Sequence, residues 1–384
     1  MKSRVHLFMI AGALACGTAA AADDGVVVYG IFDTAAASAK GAGGKIADEM
    51  LDGGMDTPFF GIGASESLGD AGKIRVILEG FYNSTTGASG RPVPGGDSLF
   101  AREAAVEWSG GLGAVKAGRV DAPSLIPTIV LNPLGGAPVL SPMFTHMFIT
   151  GIGGPGPNNE TAGLLGGNTF SDTQWDSTIK LSLPKSTGID AAVYYEFSGA
   201  AGESGKRNLG LNALYTVGPL TVGGYIQDDW VCNPLGCLTI NIDTSTGAVT
   251  KTTPTNIMAA EEKTWFVGAS YDFKVAKLYA GYNHYQLGSA TQSATSFEAG
   301  NFGSSSKLPE VGIKVPVGNA NVSLAWAATT TTEASGSDVR WATTSLVYDY
   351  NFSKRTDLYL GAMQETLTAE SSGHLVAVGL RHHF

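Results

Sequence analysis

The sequence predicts an all-β fold: a transmembrane barrel of sixteen antiparallel, up-and-down strands. Three observations lead there. Apolar and polar residues alternate with period two through most of the chain, with almost no helical periodicity. The connections between the alternating segments are short and long in turn, as a meander with tight turns at one rim and loops at the other requires. Charged residues make up only 15% of the chain and glycine contributes 52 residues, a balance foreign to a soluble protein of this size.

The elements follow in order. "MKSRVHLFMIAGALACGTAAAA" carries Lys2 and Arg4, an apolar run too short to span a bilayer, and an Ala-x-Ala site at Ala20 and Ala22. Residues 1–22 therefore read as a cleaved secretory signal and 23–384 as the barrel. A lipid-modified Cys16 would want a branched residue three places earlier, where Ala13 stands. Beyond the signal no segment has the roughly 18 consecutive apolar residues of a transmembrane helix. Strands are expected near 26–37, 57–66, 73–83, 99–109, 113–120, 174–183, 189–198 and 206–217. A second set is expected near 219–230, 261–272, 275–287, 306–316, 320–331, 338–351, 356–367 and 373–384.

Individual strands divide cleanly. "NANVSLAW" sets Ala320, Val322, Leu324 and Trp326 against Asn319, Asn321 and Ser323, and "TWFVGASYDF" sets Trp265, Val267, Ala269, Tyr271 and Phe273 against Thr264, Gly268, Ser270 and Asp272. Sixteen strands enclose an interior too wide for side chains to fill, so an apolar face turned inward would line a hollow. An apolar face turned to lipid around a polar lumen satisfies the same pattern. Tyr29, Trp230, Tyr271, Phe273, Tyr350, Phe352 and Phe384, near strand ends, suit interfacial girdles.

Composition excludes other classes. Without the signal the chain keeps 22 basic against 34 acidic residues, a net of −12, which argues against nucleic acid. Cys232 and Cys237, in "VCNPLGC", suit a small loop disulfide in an exported protein; a metal would need further His or Cys ligands nearby, and neither metal nor cofactor is expected. "GGDSL" would make Ser98 a hydrolase nucleophile, but the Asp-x-x-His partner of such enzymes is missing near the C-terminus. "GIGGPG" at 151–156 has the letters of a dinucleotide fingerprint without its strand and helix, and Pro155 removes an amide. His382 and His383 point to opposite faces of one strand.

Five stretches, in order and spacing, resemble the trimeric general porins of Gram-negative outer membranes: "VVVYGIFDTA" at 26–35, "FFGIGASESLGDAGKIRVILEGFYN" at 59–83, "LFAREAAVEWSGGLGAVKAGR" at 99–119, "YDYNFSKRTDLYLG" at 348–361 and "VAVGLRHHF" at the end. The resemblance implies a homotrimer in the outer membrane with both termini periplasmic. Its partners would be membrane lipid, lipopolysaccharide and the β-barrel assembly machinery, which would read Phe384. It implies an inward-folded third loop that narrows the barrel, here around Asn132, Pro133, Leu134, Gly135 and Gly136. The acid and aromatic of the family's loop motif are absent. It also places Arg102 and Arg119 among arginines that line the constriction.

The function expected is a water-filled channel for passive diffusion of small hydrophilic solutes and ions. Period two turns Lys73, Arg75, Ile77 and Glu79 to one face of the third strand, so Arg75 should enter the lumen, where Asp33 and Glu79 are candidate acids. The loop from 121 to 173 has only Asp121, Glu160 and Asp172 as acids, so a weak anion preference is expected despite the acidic chain. The rival is a channel selective for one class of small molecule. It is suggested by Leu131, Leu134, Met143, Phe144, Met147 and Phe148 in that loop, unless these pack against the inner wall. An esterase using Ser98 is the third reading.

Overall fold

The computed structural model describes residues 25–91, 97–148, 172–197, 207–231, 238–242, 249–254, 260–288 and 303–384. The expected signal at 1–22, the "GIGGPG" stretch and Cys232 with Cys237 lie outside the described residues.

Sixteen strands close into an antiparallel barrel. Its first half is β1 (Gly25–Lys40), β3 (Phe59–Ser67), β4 (Lys73–Phe81), β5 (Glu103–Gly110), β6 (Gly113–Asp121), β7 (Gln174–Ser182), β8 (Ile189–Glu196) and β9 (Asn208–Val217). Its second half is β10 (Leu220–Val231), β13 (Ala260–Asp272), β14 (Lys277–Leu287), β15 (Ser305–Val317), β16 (Ala320–Thr332), β17 (Asp338–Asn351), β18 (Thr356–Leu367) and β19 (Gly373–His383). Each pairs with its sequence neighbour, and β19 returns to β1 from Ile31↔His383 to Lys40↔His374. The ladder runs one residue beyond β19, because Phe384 N–H donates to Gly30 O at 3.1 Å and Gly30 N–H to Phe384 O at 3.2 Å. The outward Phe384 ring lies over Gly30, where any Cβ would collide with it.

The alternation seen in the sequence becomes the two faces of the wall. On β19, Val376, Val378 and Leu380 are exposed while Leu375 and Ala377 are buried. Tyr271 with Phe273 (4.5 Å between rings) and Tyr350 with Phe352 (5.1 Å) cluster beside the short turns, as girdle aromatics should. Gly218 and Gly318 adopt φ of 57° and 61° in the tightest turns, a region open to glycine at no steric cost.

The wall departs from expectation in several places. Tyr29 is not a girdle residue: it points inward, is buried, and donates to Glu79 Oε1 at 2.5 Å. It shares the inward parity of the buried Ile31 and Asp33 on β1, which outweighs its place near a strand end. The fourth barrel strand begins at Glu103 rather than near 99. Additional strands appear within loops: β2 (Ala47–Asp52), and a separate hairpin of β11 (Leu238–Ile242) with β12 (Val249–Pro254). β2 continues the line of β3 along β1, from Thr34↔Asp52 to Ala39↔Ala47. Six residues, 53–58, therefore face only Phe32 and Asp33 on β1, and they bulge into the barrel.

Candidate functional site: the lumen and its inserted loop

The third long connection, after β6, folds into the barrel. Its described arm contains α1 (Leu125–Val130) and α2 (Pro142–Phe148), which pack on β9, β10, β16 and β17. Neither was expected, because each is too short to show a helical period. Asn132 joins them: its Nδ2 donates to Thr128 O and Gly135 O, while its Oδ1 accepts from Leu134 N–H and Ser141 Oγ–H. The "NPLGG" segment is thus a knot built on Asn132, and Gly135 takes its turn at φ 60°.

The loop seats apolar side chains on the wall. Leu131, Met143 and Met147 pack with Tyr225, Phe266, Leu308 and Ala327. Leu134, Ala137 and Leu140 pack with Ala35, Ala325, Val347, Tyr359 and Leu375. Phe148 packs on the first of these clusters, and Phe144 is buried against Phe148 within the loop, 4.9 Å between rings. Burial of each such side chain stabilises the seat by about 1.5–3 kcal/mol. Wall glycines make the close approach possible: a Cβ at Gly312 would sit 2.5 Å from Pro133, and one at Gly361 would sit 2.6 Å from Leu140.

Polar anchors fix the register of the loop. His146 is fully buried, stacked on Trp341 at 3.7 Å, with Nδ1 2.8 Å from Thr329 Oγ1 and Nε2 2.8 Å from Thr343 Oγ1. Burial pushes the His146 ring from the ordinary 6.5 down to about 3, so it is neutral in the seat. Ser345 Oγ–H donates to Leu140 O, and Leu140 N–H to Gly54 O in the inward bulge. That bulge is held in turn by Asp33, whose carboxylate accepts from the N–H groups of Gly54, Met55 and Asp56 and from Tyr359 Oη–H.

The opposite arc of wall carries charge. Arg75 and Glu79 share the inner face of β4 with the buried Ile77 and Phe81. Arg102, turned in just before β5, lies over the Phe59 ring at 4.2 Å with Nε 2.9 Å from Glu79 Oε2. Lys116 pairs with Glu103 at 2.8 Å and Glu107 at 3.4 Å, and Lys180 with Asp121 at 2.9 Å. Arg119 stands opposite Ala104 where the ladder slips, its guanidinium held by Ala101 O, Asp172 and Asp176. Asp172 also binds Arg91, which ties the second loop to the root of the third. Burial works to raise the Asp172 carboxyl, but Arg91 and Arg119 override it and hold it at about 2.

The structure therefore pairs Glu79 with Arg102, leaves Arg75 two inward positions from Glu79 along β4, and sends Asp33 elsewhere. Asp33 points inward as parity requires, yet it is 0% exposed beneath the bulge and presents no charge to the lumen water. Arg102 and Arg119 are charge-paired, whereas the ion pairs among the described residues leave Arg75 out. Sequence reasoning missed Arg381, which gathers Asp56 at 2.7 Å, Asp357 at 3.1 Å and Asp349 at 3.7 Å. Its inward parity was legible in the closing strand, but its partners come from three separate segments. Ser98 is exposed in the connection before β5, and its neighbour Asp97 is bound to Arg91.

A family model for Gram-negative porins matches residues 8–369 of the chain. An outer membrane porin protein of Bordetella pertussis is 25% identical over 415 residues, spanning 98% of this chain and 99% of the relative. Among solved structures, an anion-selective porin from Comamonas acidovorans superposes with a TM-score of 0.68 at 22% identity, covering 94% of this chain and 100% of that one. OmpT of Vibrio cholerae, in a trimer form, superposes with a TM-score of 0.62 at 13% identity over 94% and 100%. With a closed sixteen-stranded barrel, a lumen narrowed by an inserted loop and a family match over most of its length, the chain belongs to the Gram-negative porin family and is a channel rather than an enzyme.

Proposed function

We propose that the protein is a homotrimeric outer-membrane channel, with both termini on the periplasmic side, through which small hydrophilic solutes diffuse passively with a weak preference for anions. Residues 1–22 are its export signal. The observation that carries the ionic preference is Arg75, inward on β4 and outside every ion pair of the described residues, in a barrel whose inserted arm 122–148 contains no Asp, Glu, Lys or Arg. Charges on outer loops are screened beyond roughly 8 Å at physiological salt, while a charge in a narrow, low-dielectric passage is screened less. The names of the Comamonas and Vibrio proteins, anion-selective and trimeric, agree with this reading.

The test is the reversal potential of a planar bilayer under a salt gradient. Wild type is expected to favour anions weakly, and Arg75→Ala to shift towards cations. Clear cation selectivity in wild type would sink the proposal. Trimer assembly is checked by electrophoresis without heating, where a heat-insensitive monomer is the contrary result. The motive for a solute-selective channel weakens, since Leu131, Leu134, Met143, Met147 and Phe148 pack on the wall and Phe144 on Phe148.

A further inference from the structure

Two lysines face each other across adjacent strands on the inner wall. Lys277, the first residue of β14, is the register partner of Lys314 on β15, and both share the parity of buried inward residues: Tyr279, Asn283 and Tyr285 on β14, Leu308 and Glu310 on β15. Directly opposed side chains in an antiparallel pair stand about 4.5–5.5 Å apart at Cβ, where like charges repel. Neither lysine takes part in an ion pair among the described residues; Lys277 Nζ lies 5.1 Å from the centre of the Tyr279 ring. The flanking register partners are Asp272 beside Lys277, at the strand end, and the buried Ser323 hydroxyl beside Lys314. Asp349 and the like charge of Arg381 both act on Lys314, and Asp349 already shares Arg381 with Asp56 and Asp357.

We propose that Lys277 and Lys314 form a station for the oxyanion group, carboxylate or phosphate, of a permeating solute. Two ammonium groups converging on one dianion replace their mutual repulsion with charge-assisted hydrogen bonds, and Ser323 supplies a further donor. The station lies near the rim of short turns, on the arc of the sixteen-strand ring away from Arg75, so an anion leaving the Arg75 side meets a second cationic surface rather than bare wall. A passage with several weak sites lets a solute enter and leave, which a single tight site prevents. The station deepens the anion preference proposed above and rests on that reading for its role in transport.

The experiment measures chloride current through wild-type trimers while succinate or inorganic phosphate is added to either chamber. Saturable reduction of current is expected, and its half-maximal concentration should rise at least about tenfold in the Lys277→Gln, Lys314→Gln double variant as the converging charge is lost. Lys314→Arg keeps the charge and should keep most of the block. Unheated electrophoresis confirms that each variant is a folded barrel. Block by succinate alone assigns the station to carboxylates, and block by phosphate alone to phosphates. Absence of block by both, or unchanged block in the double variant, overturns the proposal. Wild-type reversal potential separates the two readings: cation selectivity with lysine-dependent block refutes the proposed preference and leaves the station standing.

Discussion

His146 shows how one side chain can set the behaviour of a loop. Both ring nitrogens are engaged, the ring is stacked on Trp341, and burial withholds from the charged ring the water it would need. Its pKa is held at about 3 when seated, against 6.5 when released. The released form therefore takes up a proton first. The contribution of His146 to seating is complete above about pH 6.5 and declines as pH falls towards about 3, by up to about 1.4 kcal/mol per pH unit. Open-channel noise, or protease cleavage within residues 122–148, should rise over that window in wild type. His146→Ala should raise both at neutral pH, with a loss of about 2–4 kcal/mol from two hydrogen bonds and a stack. A wild type equally quiet at pH 4 and pH 7 would count against this role of His146.

At the scale of elements, the first strand is the most heavily used. β1 closes the barrel with β19 on one edge and pairs with both β3 and β2 on the other, and the bulge between those two reaches the inserted loop. Asp33→Ala removes the acceptor of three backbone N–H groups and of Tyr359, so the bulge and the Leu140 contact should loosen together and single-channel conductance should rise. A second route to the same outcome is Gly361→Val, whose Cβ would displace Leu140. Gly111→Ala, with nothing within 4 Å of its Cβ, is the matched control. Unchanged conductance in both Asp33→Ala and Gly361→Val would show that the loop tip is held by other contacts.

For the whole molecule, the β1–β19 seam closes the barrel and the last residue extends it by one hydrogen-bonded pair. Phe384 extends the β1–β19 ladder and covers Gly30, and as an exposed aromatic at a strand end it also suits a recognition point for assembly. Deleting Phe384 should lower the yield of barrel in the outer membrane much more than the yield of barrel refolded in detergent. Equal losses in the two would mean that the residue acts only through closure. Arg381, three residues earlier, ties the same strand to Asp56, Asp349 and Asp357, so this end of the barrel is fastened from inside and out.

Period two by itself determined the strands, their inward and outward faces and the alternation of turn and loop, because a barrel wall repeats one local rule sixteen times. Arg75 on the inner face of β4 and Phe384 at the closing edge follow from counting residues along one strand. What lies inside the barrel follows no such rule. Gly361 beneath Leu140, Thr329 and Thr343 around His146, Asn132 at the knot and Asp33 under the bulge are meetings between segments separated by up to about two hundred residues along the chain. The helices of the inserted loop are too short for their periodicity to show, and Arg102 defies the parity of its expected strand because the chain turns in before Glu103. Whether an inward arginine is a free charge or half of an ion pair depends on which carboxylates the closed barrel carries within about 4 Å of it, and only the tertiary structure decides that.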